Sequence, residues 1–404
     1  MTDVAIIGAG AAGCFCAANL GRICPEANIT VYEAARRPLA KVSVSGGGKC
    51  NLSNSFEDIS LEKAYPRGAR LMKRLLAAFG PAECREWFTS RGVSLVTESD
   101  GRVFPSSQKS SSVTGALLGE IHKYGVRIKT GCRVASIEAK AKGYRLNIEG
   151  QPAVRADKVV VTVGGLSTAK STKIFDGMGL TLERPVPSLF TLKVPSPVTA
   201  LSGISVPSVR LRLTGSKIES EGALLITDWG FSGPAVLKLS SYGARFLAEN
   251  SYSATVSVCW LPESSEQEIR SLLAGYIAGH PGKSLASVHP EEIPGRLWTF
   301  ILGLAGLDKD ARYSSLGDKT ISRLCARLLD SSFEIRGRAR FKDEFVTCGG
   351  ISLSEINPTS LESKACKGLY FAGEVLDIDA ITGGFNLQAA WSGGYCVAKA
   401  IASS

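Results

Sequence analysis

Histidine is scarce in this chain. There are three in 404 residues, His122, His280 and His289. The last two fall in a segment expected to be peripheral, so zinc sites and histidine-based catalysis find little support, and no metal site is expected. Cysteine is plentiful at eleven, yet no CxxC pair occurs. Cys14 and Cys16 stand two apart and the others are scattered, which reads as small buried hydrophobes in a reducing cytoplasm. No apolar run approaches the ~20 residues that span a bilayer. Met1-Thr2-Asp3 carries no basic stretch ahead of the first apolar segment, so neither a signal nor a transit peptide is expected, and the location expected is cytoplasmic. Internal repeats and low-complexity segments are missing as well.

One kind of charge concentration is also lacking. The net charge is +10, which would suit an anionic partner such as RNA. The basic residues are nevertheless dispersed along the chain, as in Arg67, Arg70, Lys73 and Arg74, or Arg336, Arg338, Arg340 and Lys342. A solvated basic surface explains them as well, and no nucleic-acid partner is expected. At this length two domains are a better expectation than one core. A 44% hydrophobic and 21% charged composition is that of a soluble globular protein.

What is present is concentrated at the start. Residues 4–13 read Val-Ala-Ile-Ile-Gly-Ala-Gly-Ala-Ala-Gly. An apolar strand runs into Gly8-Ala9-Gly10-Ala11-Ala12-Gly13, and Glu33 closes the next apolar run, Ile29-Thr30-Val31-Tyr32. This is the spacing of a dinucleotide-binding βαβ unit. Gly8 makes the turn off the strand, Gly10 lets backbone approach a pyrophosphate, and Gly13 lets the helix lie close. The pyrophosphate meets free amides at the helix N-terminus. Glu33, with Ala34 after it, is placed to accept from a ribose diol and would repel a 2′-phosphate. The motif alone leaves NAD and FAD open.

Further along, helices are expected near 67–79, 81–91 and 112–124, and strands at Val126–Lys129, Val134–Ala139, Tyr144–Ile148 and Val154–Val163. The last is a β-branched run ending in Gly164-Gly165. Prolines at 185, 187, 195, 197 and 207 then break the β/α alternation. Residues 209–227 and 252–260 read as strands, and 264–278, 290–304 and 315–330 as helices. The β/α alternation returns from about 344, with Leu369-Tyr370-Phe371-Ala372 as a buried strand and a helix from Asn386 to Ala402. The expected fold is α/β. A discontinuous Rossmann-like domain (1–188 and 338–404) holds a parallel sheet with a β-meander. An inserted domain (189–337), with a β part and a helical part, caps it. Such a discontinuous domain favours FAD, whose flavin half must be met by a second element near the C-terminus.

The C-terminal segment resembles one family. Gly368-Leu-Tyr-Phe-Ala-Gly373-Glu374-Val-Leu-Asp377-Ile-Asp379 and Thr382-Gly383-Gly384-Phe385-Asn386-Leu387-Gln388-Ala-Ala-Trp391-Ser-Gly393 are similar to the BaiN-like group of bacterial FAD/NAD(P)-dependent oxidoreductases. Ser45-Gly46-Gly47-Gly48-Lys49-Cys50-Asn51, Asp100–Pro105, Gly164–Ser167, Phe231–Leu237 and Val346–Ile351 agree, so the resemblance runs from residue 4 to 394. The group is distantly related to fumarate reductase flavoproteins. Phe345 and Val346 stand where those enzymes carry a substrate-binding histidine, and the loop 43–48 lacks the histidine that attaches flavin covalently in many of them. The resemblance therefore implies non-covalent FAD and puts dicarboxylate reduction in doubt.

It also implies that the inserted domain (189–337) is made of a small β-barrel and helices, and it implies roles for particular residues. Gly373 backbone would approach FAD and Glu374 would accept from a ribityl hydroxyl. The amides opening the last helix, at Gly384, Phe385, Asn386, Leu387 and Gln388, would face flavin O2 and N1; Asn386 as a plain helix cap is compatible with this. Gly46-Gly47-Gly48 lacks P-loop spacing and reads as backbone passing the isoalloxazine, with Lys49, Cys50 and Asn51 at the pyrophosphate or flavin edge. Lys41, Val134, Val163, Gly164 and Gly165 complete the expected contacts. Cys50 as a redox thiol has no CxxC partner, and Arg102 is a candidate for orienting substrate or a plain surface arginine. No catalytic residue is assigned. The expected reaction is hydride transfer through flavin N5 from NAD(P)H to an unsaturated or carbonyl-conjugated small molecule. No second GxGxxG exists, so the nicotinamide would visit and leave. An RNA-acting flavoprotein of the tRNA-modifying type, or a flavin-binding protein without turnover, are the alternatives.

Overall fold

A computed structural model describes residues 1–339 and 346–404. Arg340, Lys342 and Phe345, whose residue types bear on charge and on substrate binding, lie outside the described residues. The chain divides into two compact units, Met1–Val186 with Val346–Ser404, and Pro187–Phe345.

The first unit is built on five strands, β1 (Asp3–Ile7), β2 (Asn28–Tyr32), β3 (Arg127–Lys129), β4 (Lys158–Val161) and β5 (Leu369–Phe371). Their order is β5-β4-β1-β2-β3, and every neighbouring pair is parallel. β1, β4 and β5 are buried along almost their whole length, which is why they are unbroken apolar runs rather than alternating ones. Helix α1 (Ala11–Ile23) leads from β1 to β2, and α2 (Phe385–Ala402) follows β5. The two helices touch at backbone level: a Cβ on Gly394 would lie 2.6 Å from Ala12 O.

The stretch expected as one strand over Val154–Val163 is two. Asp157 divides it. Its amide donates to Asp3 O at 2.8 Å, and its carboxylate accepts from Asp3 N at 2.8 Å. The first piece therefore finishes the antiparallel meander with Val134–Ala139 and Tyr144–Ile148. The second turns into the parallel sheet as β4. A separate pair joins Leu182–Ser188 to Val346–Ile351.

The second unit is a curled six-stranded sheet beside helices. Its strand order is Leu192–Lys193, Gly230–Ser232, Glu219–Thr227, Ser205–Leu213, Ser253–Cys259 and Ser331–Arg336. All of these pairs are antiparallel. The two end strands meet through a Leu192–Arg338 bridge, which nearly closes a barrel. Strand Ser205–Leu213 alternates, with Val209, Leu211 and Leu213 fully buried between exposed residues, as a barrel wall must. The run 209–227, expected as strand throughout, folds back on itself at Thr214–Lys217, with Leu213 N donating to Ile218 O. The register shifts between Val206 and Val209, where Pro207 cannot donate to the ladder. Helices Glu266–Gly279, Gly295–Leu304 and Asp318–Leu329 lie close to the expected spans. Pro234–Tyr242 is a helix that periodicity does not announce; it opens on a proline at its first turn, a helix-start signal. Among the described residues, no strand of this unit enters the parallel sheet.

Candidate functional site

The start of α1 is assembled from backbone. Gly8 N donates to Tyr32 O at 2.8 Å, which fixes the turn off β1. A Cβ on Gly13 would fall 2.0 Å from Gly8 O, so only glycine lets α1 lie this close. Thr162 Oγ1 sits 2.9 Å from both Ile7 O and Gly8 O and pins the loop to the end of β4. At the Gly10 Cβ position there is nothing within 4 Å, and no side chain caps α1. The first amides of the helix, at Ala11, Ala12 and Gly13, therefore lack intrahelical partners beside open space. That is the arrangement that accepts a pyrophosphate.

Glu33 is held at the rim of this loop. Its Oε2 accepts from Ala9 N and its Oε1 from Ala35 N, both at 2.7 Å. A carboxylate has about four acceptor sites, so ribose hydroxyls can still be bound. Cys132 N donates to Glu33 O at 2.8 Å, bringing the head of the meander and Val134 alongside. Ala34 is exposed next to Glu33.

A second cluster of the same unit gathers the C-terminal motif. Gly46, Gly47 and Gly48 follow one another at φ 57°, 67° and 86°, a left-handed run that side-chain-bearing residues rarely adopt. Cβ atoms on Gly47 and Gly48 would meet nothing, so one side of the loop is open. Its other side is tied down. Cys50 N donates to Ser45 O at 2.9 Å. The Asn51 amide donates to Ser53 O at 3.0 Å and accepts from Gly384 N at 3.1 Å. A Cβ on Gly384 would lie 2.2 Å from Ser53 O. The glycine loop and the N-terminus of α2 thus form one surface, and no side chain caps α2.

Glu374 completes it. Its Oε1 accepts from Thr347 N at 2.7 Å, and its Oε2 lies 3.8 Å from Lys41 Nζ. A Cβ on Gly165 would be 2.3 Å from Thr347 Oγ1, and one on Gly164 3.7 Å from Glu374 Oε2. Lys41, Gly164, Gly165 and Glu374 are therefore neighbours, with half-buried Val163 one residue before the glycines. Lys49 is exposed.

The side chains of several expected residues are engaged within the fold. Gln388 is fully buried. Its Oε1 accepts from Ser53 at 2.6 Å and its Nε2 donates to Ser392 at 3.0 Å. Its side chain is used up inside the fold and does not face the open surface. The Phe385 ring is likewise enclosed, edge-on to Phe56 and Tyr65. Asn386 does not cap α2. It grips the preceding loop through Ala380 N and Ala380 O, at 2.9 Å each. Cys50 is fully buried, and burial pushes its thiol up to about 11, which is contrary to a reactive thiolate. Arg102 pairs with Glu98 and Asp100, at 2.7 Å each, so its charge is spent locally.

Sequence reasoning passed over the supports of this surface. Tyr65 OH donates to Phe385 O at 2.8 Å. Arg67 forms a bidentate pair with fully buried Asp379, fastening the segment before the helix Ala69–Ala78 to the loop before α2. Thr347 and Ser53 act through a backbone amide and a hydroxyl. Of these, Asp379 alone belongs to the C-terminal motif, and nothing in its spacing names Arg67 as partner.

With two uncapped helix N-termini and open space at Gly10, Gly47 and Gly48, the residues present fit a long dinucleotide such as FAD. Among the described residues no group of three or more His, Cys, Asp or Glu could hold a metal ion. No described helix is long and apolar enough to cross a membrane.

Comparison with known proteins matches residues 2–400 to a family described as HI0933-like protein Rossmann domain. A 3-dehydro-bile acid delta(4,6)-reductase of Clostridium scindens is 30% identical, over 100% of this chain and 99% of that protein. A ribosomal RNA dihydrouridine synthase of Escherichia coli is 29% identical, over 98% of this chain and 97% of that protein. Among solved structures, a 3-ketosteroid-delta4-(5alpha)-dehydrogenase from Rhodococcus jostii matches at TM-score 0.49 and 15% identity, covering 100% of this chain and 97% of that one.

Proposed function

The chain belongs to the HI0933-like Rossmann family, and on that premise we propose that it is an FAD-dependent reductase of carbon–carbon double bonds conjugated to a carbonyl. The observation that carries this reading is the single surface made by Gly46–Gly48, Glu374 and the uncapped N-terminus of α2, in the same unit as the dinucleotide loop. FAD supplies the hydride chemistry at its N5 position when bound. The chain's own residues hold and tune it. The α1 amides take the pyrophosphate, Glu33 takes the ribose diol, and Glu374 takes a ribityl hydroxyl. The amides opening α2 favour negative charge beside them by ~0.3–1 kcal/mol, up to ~2 where partly buried. FAD is held non-covalently, since no histidine stands in 41–51. NADH or NADPH visits the flavin face as reductant.

The names of the two curated relatives support the bond type. One describes reduction at the 4 and 6 positions of a 3-oxo steroid, and the other describes saturating uridine in RNA. Steroid enone and uracil share a double bond conjugated to a ring carbonyl. The test is anaerobic. NADH or NADPH should bleach the flavin of the holoenzyme, and a cyclic enone should restore the yellow colour with loss of its double bond. A flavin that neither nicotinamide bleaches would make the protein a flavin carrier without turnover.

A second reading, reduction of a base within RNA, is favoured by the charge. The unit bearing the dinucleotide loop has 29 Lys and Arg against 21 Asp and Glu, a net of +8. The other unit has 18 against 16, a net of +2.

A further inference from the structure

The excess of positive charge has a defined place. Helix Ala69–Ala78 reads ARLMKRLLAA and contains three cations and no anion. Leu71, Met72 and Leu75 are buried, which turns Arg70, Lys73 and Arg74 out together as residues i, i+3 and i+4 of one exposed face. Like charges at this spacing destabilise a helix, and an alternating surface would avoid the cost. None of the three forms a hydrogen bond or ion pair among the described residues. Some other basic side chains of the unit are matched, Arg91 with Glu120, Arg102 with Glu98 and Asp100, and Lys140 with Glu138.

The helix is also rigidly placed. Gly68, its N-cap, lies so close to Ile378 that a Cβ would be 2.7 Å from that side chain. Arg67 is locked to Asp379. The basic face is therefore anchored to the loop that runs through Gly383 and Gly384 into α2, the flavin-facing end of the site. On the same unit Arg36, Arg37 and Lys49 are exposed and likewise unpaired among the described residues. The diphosphate of FAD accounts for only a small part of such an excess.

We propose that the Arg70–Lys73–Arg74 face is a docking surface for the phosphate backbone of an RNA whose base is presented to the flavin, a proposal that rests on the second reading above. The exposed face offers Ala77 and Ala78 but no large apolar side chain. It therefore suits a phosphate ladder rather than insertion into an anionic bilayer, which calls for bulky apolar residues beside the cations.

The test uses the FAD-loaded protein, a fluorescently labelled uridine-containing single-stranded RNA, and two triple variants. One is Arg70→Gln, Lys73→Gln, Arg74→Gln; the other is Arg70→Glu, Lys73→Glu, Arg74→Glu. Wild type should bind RNA with a steep salt dependence. The Gln variant should weaken binding at low salt by roughly tenfold or more and lower the log–log salt slope by about 2 to 3. The Glu variant should bind more weakly still. FAD content and bleaching by nicotinamide should be unchanged, and the melting temperature of the Gln variant should equal or exceed that of wild type, which a merely structural role would not give. Wild type that does not bind RNA, or a Gln variant that binds as wild type does, overturns the surface. So does equally strong charge-dependent binding of wild type to phosphatidylserine vesicles. Loss of RNA binding with normal flavin reduction leaves the reductase reading standing, whereas a flavin that no nicotinamide reduces defeats that reading separately.

Discussion

The two units are encoded in the sequence in different ways. The first is specified by backbone. Its key positions are glycines such as Gly13 and Gly384, where a Cβ would strike a carbonyl oxygen at 2.0 and 2.2 Å. The second is specified by side-chain alternation and volume, with Val209, Leu211 and Leu213 on a barrel wall and Trp260, Trp298 and Tyr313 in its core. Backbone requirements leave a motif at fixed spacing. Packing requirements leave only a period, because many apolar residues of similar volume fill one site. Every residue expected to touch the cofactor lies in the first unit, and the second carries none.

The largest expected effect falls on the first unit. Arg67→Met removes the cation of the ion pair with the fully buried Asp379, and breaking such a pair from one side costs about 3–5 kcal/mol. Differential scanning calorimetry should show a large drop in melting temperature with loss of FAD. Arg210→Met in the second unit breaks an exposed pair with Glu221 and should cost at most about 1 kcal/mol. Equal losses for the two variants would erase the contrast.

Gly13→Ala comes next. Its methyl group has no room against Gly8 O, and overpacking of this kind costs about 1–3 kcal/mol. The protein should purify with little flavin, read from the visible absorbance that the cofactor itself contributes. Gly275→Ala, at an exposed position inside helix Glu266–Gly279 where a Cβ meets nothing within 4 Å, should leave flavin content unchanged and raise stability by about 0.5–1 kcal/mol.

Glu33→Arg sharpens the same comparison through the ligand. Binding confined to the native state adds ~2.7 kcal/mol at about a hundred times the dissociation constant. The variant should lose most of the melting-temperature gain that added FAD gives wild type. Unchanged FAD occupancy would remove Glu33 from the ribose.

The smallest effect is the alkaline one. Burial raises the thiols of Cys14, Cys16, Cys50 and Cys84 from an ordinary value of 9.0. Their folded pKa values lie above the unfolded one, so the stability they contribute is complete below pH 9.0 and is lost as pH rises, through about 11 for Cys50. All four lie in the first unit. Hydrogen exchange between pH 9.0 and about 11 should therefore loosen α1 before the barrel strands, after correction for the intrinsic rate at each pH. Simultaneous loosening would count against this.

Much of the first unit is legible because strand, glycine loop and acidic residue recur at one spacing. The resemblance read from the C-terminal motif agrees with the family match and the bile-acid reductase relative. What stays hidden is long-range. Gln388 stands in the C-terminal motif, yet Ser53, 335 positions away, claims its side chain. Asp157 ends one strand and begins another by bonding to Asp3 across the sheet. The turn at Thr214–Lys217 is submerged in a continuous β-prone run. The concentration of charge on one unit is invisible as well, because a total of +10 carries no address until the chain is divided.

The central claim is that the first unit holds FAD without a covalent bond. Acid precipitation of the purified, FAD-loaded protein tests it most directly. The account predicts a yellow supernatant containing intact FAD and a colourless pellet. Colour that stays with the pellet, or a purified protein that is colourless and takes up no added FAD, would contradict it.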